Sequence, residues 1–194
     1  AAGERIRMIG LVPDQILTRQ ISVEATHRDG MVVSDPRRDI LKLVVVERHR
    51  ATGGIGIGFV QGFGLKEGAL ASSVSHDSHN IIAVGCGDGD LYRAVKAVEE
   101  MQGGLAAVRN GEVLAKLPLP IAGLMSDRPL AEVARGWEEL RRVARLFGSV
   151  PEEPFMVLSF LALPVIPELK LTDRGLVDVT LFRHVPLFAG ETGA

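Results

Sequence analysis

The sequence is poor in residues on which several classes of protein depend. Its 194 residues include a single cysteine, Cys86, one tryptophan and one tyrosine. One cysteine excludes a disulfide within the chain and a zinc site built from several thiolates. The segment IIAVGCG around Cys86 is apolar, whereas reactive thiols need an accessible, electropositive setting. We therefore predict that Cys86 is a buried structural thiol.

Neither charge nor hydrophobicity is concentrated in any part of the chain. The formal net charge is −2, and no window is rich enough in lysine and arginine to follow a nucleic-acid backbone. The longest apolar run, PFMVLSFLALPVIP, is too short to span a membrane. No signal-peptide pattern opens the chain. We expect a cytoplasmic protein that binds neither nucleic acid nor membrane.

What the sequence does contain predicts one domain of mixed structure over residues 1–194. The hydrophobic content of 46% supplies an ample core for a chain of this length. Apolar residues recur at helical spacing from about 88 to 102 and from about 127 to 147, the second helix being capped by Ser126 or Asp127. We expect an α+β or mixed α/β fold, with a mixed, largely antiparallel sheet and the two main helices packed on a face.

Most of the remaining segments predict strands. These are two short strands around Pro13, then ILKLVVVERH, ALASSVSH, NIIAVGCG and FMVLSFLAL, with a hairpin at Asn110-Gly111. The glycine-rich segment ATGGIGIGFVQGFGLKEG lacks both the GxGxxG spacing and a Walker lysine, so it predicts a strand that another backbone approaches closely. Pro164 and Pro167 favour an extended surface segment in the tail.

The segment SVSHDSHN places His76, Asp77, His79 and Asn80 at the connection between two predicted strands. In one interpretation they bind a metal ion, although residues three apart point to opposite faces of a strand, so such a site requires a tight turn. In a second, Asp77 and Asn80 stabilise a polar turn through bonds to the backbone. In a third, the cluster faces a ligand or a partner domain. The residue pattern leaves these alternatives open.

A second candidate site lies at the end of the predicted strand ILKLVVVERH. Glu47 and His49 follow the apolar part of this strand, and the end of a rigid strand is where side chains commonly project into a site. The alternative is a solvated strand end in which Glu47 and Arg48 balance each other. Asp173 and Arg174, in LTDRG, predict an ordinary turn.

Three long segments resemble the C-terminal domain of bacterial and archaeal adenine deaminases, members of the amidohydrolase superfamily. The likeness runs from about residue 5 to the last predicted strand, in order and with matching spacing. The segments are VERHRATGGIGIGFVQGFGLKEGALASSVSHDSHNIIAVG, GGLAAVRNGEVLAKLPLPIAGLMSD and PFMVLSFLALPVIPELKLTDRGLVDV.

The resemblance implies that the complete enzyme hydrolyses adenine to hypoxanthine and ammonia. It also implies a divalent metal, Mn, Fe or Zn, which supplies the nucleophilic hydroxide at neutral pH. In that superfamily the metal ligands lie on a (β/α)₈ barrel and begin with a His-x-His pair. This chain has neither that pair nor the length for a barrel.

We therefore expect an accessory domain that binds no cofactor itself and is inactive alone. Its expected partner is an amidohydrolase barrel, and adenine binds only in the complete enzyme. The alternative is a stand-alone, non-enzymatic binding or assembly module that self-associates through exposed apolar surface. An independent small hydrolase ranks last. Under the first hypothesis, the side chains that shield the substrate or contact the barrel are His76, Asp77, His79, Asn80, Glu47 and His49.

Overall fold

A computed structural model describes residues 4–190 of the chain, which contain three helices and thirteen strands. The helices are α1 (Asp88–Glu100), α2 (Leu130–Leu146) and α3 (Pro154–Phe160). The strands are β1 (Arg5–Leu11), β2 (Thr18–Glu24), β3 (His27–Arg28), β4 (Met31–Val32), β5 (Leu41–Val46), β6 (Ile55–Gln61), β7 (Ala69–Ser72), β8 (Ile81–Gly85), β9 (Gly104–Arg109), β10 (Glu112–Pro118), β11 (Leu169–Thr172), β12 (Gly175–Asp178) and β13 (Arg183–Val185).

Eight strands form one large sheet in the order β10-β9-β7-β8-β5-β6-β1-β2. Its neighbours are antiparallel except for β1 and β6, which pair in parallel. Strands β11, β12 and β13 form a second, antiparallel sheet, and β3 pairs with β4. The predicted α+β class, with a mixed and largely antiparallel sheet, is therefore confirmed.

The two long helices lie on opposite faces of the large sheet, so the prediction that both pack on one face was wrong. Ile82 of β8 packs in the same cluster as Leu140 of α2. Its neighbour Ala83 points the other way and packs with Ala94 of α1. Every residue of β8 is buried, and successive side chains of a strand point to opposite faces. A strand that is apolar at every position therefore needs a cover on each face.

Most of the segment FMVLSFLAL lies in helix α3, which ends at Phe160, so its prediction as a strand was wrong. Pro154 occupies the first turn of α3, where its missing N–H costs nothing. Phe155, Leu158 and Leu161 are buried at helical spacing. A short apolar run has no polar face to reveal its period, so a buried helix and a buried strand read alike. None of the helices within residues 4–190 is long and apolar enough to cross a membrane.

The tail beyond Pro167 contributes to the core, so its prediction as a surface segment was wrong. Leu169, Leu171 and Leu176 of the small sheet belong to the largest buried cluster. The close approach predicted for the glycine-rich strand is confirmed at this contact. A Cβ built on Gly56 would lie 1.8 Å from the backbone oxygen of Thr172.

Other local predictions agree with the structure, with one exception at the start of α2. The Asn110-Gly111 hairpin joins β9 to β10, and α1 begins at Asp88. Helix α2 starts later than predicted, and Pro129 rather than Ser126 or Asp127 is its N-cap residue, without a side-chain cap bond. The backbone oxygen of Pro129 accepts the first hydrogen bonds of the helix, from the N–H groups of Glu132 and Val133.

The thiol of Cys86 is half-buried. Burial raises its pKa to about 12, so the thiol stays protonated at neutral pH. The thiol is thus less buried than predicted, whereas its raised pKa agrees with the predicted structural role.

Candidate functional site

The two predicted candidate segments meet at one end of the large sheet. Residues 47–54 connect β5 to β6, and residues 73–80 connect β7 to β8. The antiparallel register of β5 and β8 places Val46 opposite Ile81, so both connections leave the sheet at the same end. All six predicted side chains therefore lie in one polar cluster, which we call the polar end.

Glu47 stabilises the turn that follows it in the chain. Its carboxylate accepts hydrogen bonds from the backbone N–H groups of His49 at 2.5 Å, Arg50 at 2.7 Å and Thr52 at 3.0 Å. These bonds, led by the one from Thr52, lower the pKa of Glu47 to about 2. The carboxylate is therefore ionised at neutral pH and occupied by backbone donors.

The three histidines of the polar end are each held by a neighbour. The Nε2 atom of His49 lies 2.7 Å from the backbone oxygen of Ser78. The Nδ1 atom of His79 accepts the N–H of Ser75 at 3.3 Å. The ring of His76 packs on that of Phe160, with 4.8 Å between centroids.

The environment of His79 favours its neutral form. Burial is the largest cause that lowers the pKa of this imidazole, and electrostatic interactions with His76 and Arg48 lower it further. Asp77 acts in the opposite direction. With Nδ1 accepting a hydrogen bond, the neutral ring carries its proton on Nε2.

Asn80 and Asp77 occupy opposite environments within the loop. Asn80 is buried, and its side-chain amide donates to Oδ1 of Asp173 at 3.2 Å. Its Oδ1 accepts the backbone N–H of Arg48 at 3.4 Å. Asp77 and Ser78 are exposed at the tip. Asp173, which the sequence indicates only as part of an ordinary turn, therefore belongs to the site through its contact with Asn80.

The polar end does not fit a divalent metal. Within residues 4–190 no group of three or more histidine, cysteine, aspartate or glutamate side chains is arranged to hold a metal ion. Glu47 is taken up by three backbone N–H groups, and one ring nitrogen of His79 is occupied by Ser75. A catalytic metal site needs three converging protein ligands and an open position.

Two buried serines beside the cluster have opposite hydrogen-bonding states. The hydroxyl of Ser73 donates to the backbone oxygen of Gly123 at 2.6 Å and accepts the N–H of Gly104 at 2.8 Å. The hydroxyl of Ser75, two residues on, is equally buried and has no hydrogen-bond partner among the described residues. A buried polar group without a partner lowers stability.

We expect Ser73→Ala and Ser75→Ala to change stability in opposite directions. Ser73→Ala leaves a buried carbonyl and a buried N–H unpaired, which costs about 2–3 kcal/mol. Ser75→Ala removes an unpaired hydroxyl, so the free energy of unfolding stays the same or rises by about 1 kcal/mol. Urea unfolding of the two variants measures both values. A loss of 2 kcal/mol in Ser75→Ala would contradict the unpaired state of its hydroxyl.

Fold and site together define an α+β domain whose polar end lacks the ligand geometry of a metal-dependent catalyst. Residues 15–183 match the family model described as the adenine deaminase C-terminal domain. The chain therefore belongs to the adenine deaminase C-terminal domain family, as its resemblance in sequence predicted.

Similar proteins are named adenine deaminases and are about three times as long as this chain. The chain is 57% identical to an adenine deaminase of Desulfatibacillum aliphaticivorans and 56% identical to one of Methanothrix thermoacetophila. It is 51% identical to adenine deaminase 2 of Carboxydothermus hydrogenoformans. These matches cover 97%, 97% and 96% of this chain and 33% of each relative. The chain thus spans about a third of the length of the curated relatives it matches.

Proposed function

We propose that this chain is the accessory domain of an adenine deaminase, which converts adenine and water to hypoxanthine and ammonia. In this proposal residues 1–194 form one domain that is inactive alone. An amidohydrolase barrel holds the divalent metal, Mn, Fe or Zn, and this chain packs against that barrel. The complete enzyme works in the cytoplasm.

The observation that carries the proposal is the family match over residues 15–183, made with relatives about three times as long. The match identifies the region as their C-terminal domain, so about two thirds of each relative lies outside it. Three side chains of the polar end, those of Glu47, His79 and Asn80, are occupied by internal contacts, and the described residues contain no group that converges on a metal, which supports the same assignment. In this proposal the metal ligands therefore lie in the two thirds of each relative that this chain does not match.

The role proposed for the polar end is to contact the barrel and shield its purine pocket. Asp77 and Ser78 lie at the exposed tip of the loop, where they are free to meet a neighbour. His76, His79 and His49 flank the tip, while Glu47 and Asn80 fix the shape of the two loops beneath it. A rigid, pre-shaped loop loses little conformational freedom when a partner binds it.

A hybrid enzyme tests the proposal. We expect the Desulfatibacillum aliphaticivorans adenine deaminase to keep its activity when its matching third, 57% identical, is replaced by this chain. The isolated chain is expected to release no hypoxanthine from adenine, with or without added Mn²⁺. In the active hybrid, Asp77→Asn combined with His79→Ala should lower kcat/KM for adenine about tenfold. Hypoxanthine formation is followed by chromatography.

The matched control is the relative truncated before its last third, which should lose most of its activity. Adenine deamination by the isolated chain at the rate of the hybrid would overturn the proposal. So would a hybrid that folds and binds metal but does not deaminate adenine. Unchanged turnover and adenine affinity in the double variant would remove the role assigned to the loop while leaving the domain assignment intact.

A second candidate function is a non-enzymatic assembly module, and one exposed face favours it. Ile55 and Ile57 of β6 are 56% and 50% exposed, and they lie opposite Val46 and Val44 in the register with β5. An uncovered patch of aliphatic side chains promotes self-association. Light scattering of the purified chain decides between a monomer and an oligomer of this kind.

A further inference from the structure

Arg48 connects the polar end to a second loop. Its Nε donates to the backbone oxygen of His79 at 2.5 Å, and its Nη2 donates to the backbone oxygen of Ala122 at 2.7 Å. One guanidinium therefore holds residues 75–80 and residues 119–125 at the same time. Its planar, fixed donor geometry suits two carbonyls at once, which a lysine ammonium on a flexible stem does not reproduce.

The backbone at Gly123 is shaped around this guanidinium. A Cβ built on Gly123 would lie 2.6 Å from Nη2 of Arg48, and φ at this residue is +75°. The left-handed backbone favours glycine here, and a Cβ at this position would displace the guanidinium of Arg48. On its other side, the oxygen of Gly123 accepts the hydroxyl of Ser73. The loop 119–125 is thus clamped between Arg48 and Ser73.

The clamped loop presents apolar side chains beside the polar tip. Ile121 and Met125 exchange two backbone hydrogen bonds of 3.1 Å, and their side chains are 45% and 58% exposed. Asp77 and Ser78 are exposed on the neighbouring loop. An apolar centre with a polar edge is the composition of a protein–protein interface.

We propose that Arg48 is a positioning residue that joins the two loops into one surface, and that this surface meets the barrel of an adenine deaminase. The surface consists of Asp77, Ser78, Ile121 and Met125, and we call it the paired-loop surface. This inference rests on the proposed function, because the relatives place about two thirds of their chain outside the region matched here. The paired-loop surface continues directly from the candidate site, whereas the exposed face of β5 and β6 does not contain any of the six candidate residues.

Hydrogen exchange of the isolated chain tests the positioning role of Arg48. In Arg48→Met, the amides of residues 75–80 and 119–125 should exchange at least tenfold faster, while those of β5 and β8 keep their rates. Arg48→Lys should recover part of the protection, since an ammonium still reaches one carbonyl. The matched control is Arg50→Met, an exposed arginine two residues away whose exchange pattern should not change. Unchanged exchange in both loops of Arg48→Met would overturn the positioning role.

Kinetics of the hybrid enzyme test the partner. Arg48→Met should lower kcat/KM for adenine at least tenfold, and Ile121→Ser with Met125→Ser should lower it at least fivefold. Gly58→Ala, which loosens the fold away from these loops, and Ile55→Ser with Ile57→Ser should stay within twofold. This contrast separates a positioning effect from a loss of stability alone.

The possible failures are distinguishable. If the unsubstituted hybrid is inactive, both the proposed function and the proposed barrel contact are wrong. The hydrogen-exchange measurement still decides whether Arg48 positions the two loops. If the hybrid is active but the paired-loop variants keep their kcat/KM, the barrel contact is wrong and the proposed function stands. A loss confined to the Ile55 and Ile57 variant would place the barrel on β5 and β6 instead.

Discussion

Gly56→Ala is expected to destabilise the protein by at least about 3 kcal/mol, because the new methyl group has no space. Its Cβ would lie 1.8 Å from the backbone oxygen of Thr172 and 3.1 Å from the backbone nitrogen of Gly175. Both atoms belong to the hairpin of β11 and β12, so no side-chain rotation relieves the contact. The hairpin must move away from β6, which also opens the core around Leu171. Urea unfolding measures the loss.

Gly58→Ala is the matched control for this prediction. Gly58 lies on the same strand and faces the same hairpin, but its Cβ would meet the side-chain ends of Leu176 and Leu171 at 3.2 and 3.3 Å. These methyl groups are able to shift by a few tenths of an ångström, so we expect a cost of about 1 kcal/mol. Equal losses in the two variants would show that the close backbone contact at Gly56 does not determine the stability of this layer.

Lys170→Met is expected to stabilise the protein by about 2 kcal/mol at pH 7. Lys170 is fully buried in β11, and its ammonium makes one hydrogen bond, to the backbone oxygen of Ile16 at 3.1 Å. No carboxylate within residues 4–190 lies within 4.0 Å of it. Methionine fills a similar volume without a charge, and replacing a buried charge by an apolar side chain is often stabilising.

The size and the pH dependence of this effect follow from the pKa of Lys170. Burial lowers that pKa from 10.5 to about 8. This difference corresponds to about 3 kcal/mol, of which about 1 kcal/mol is offset by the hydrogen bond that methionine cannot make. Below pH 8 Lys170 is protonated in both the folded and the unfolded chain. The folded state then bears the full free-energy cost of burying the charged ammonium. Between pH 8 and 10.5 the folded chain releases the proton first, and the stability of the unsubstituted protein rises relative to the variant.

The measurement is the difference in the free energy of unfolding between Lys170→Met and the unsubstituted protein at pH 7, 9 and 10.5. We expect the advantage of methionine to be largest at pH 7 and to disappear by pH 10.5. Lys116→Met, at an exposed position of β10, should show almost no difference at any of these pH values. A destabilised Lys170→Met at pH 7, or a difference that does not vary with pH, would contradict the buried charge.

A helix, strand or turn of this fold could be predicted where the residues of one segment are enough to determine its backbone conformation. The Asn110-Gly111 hairpin follows from the left-handed backbone that both turn positions need, and the structure has φ of 55° and 79° there. Helix α1 follows from the spacing of Leu91, Ala94 and Val98, which are buried in the structure. The position of His76 to Asn80 between two strands follows in the same way from the apolar runs on either side.

The candidate site could be predicted only in part, because two of the contacts that shape it join residues far apart in the chain. Asn80 bonds to Asp173, and Arg48 bonds to Ala122. Neither pair has a spacing that a local pattern can reveal. A polar residue beside a strand end looks the same in the sequence whether it meets water, a distant loop or a ligand. The role of Arg48 therefore emerged only from the folded chain.

The sequence by itself determined the family, the fold class and most of the strands and helices, because hydrophobic period, turn residues and long motifs are properties of neighbouring residues. Only the tertiary structure decided that α1 and α2 cover opposite faces, that 154–160 is a helix, that Lys170 is buried, and which polar side chains at the end of the sheet are already engaged. These features depend on which distant segments cover a given side chain. Burial and pairing across the sheet are set by the packing of the whole domain.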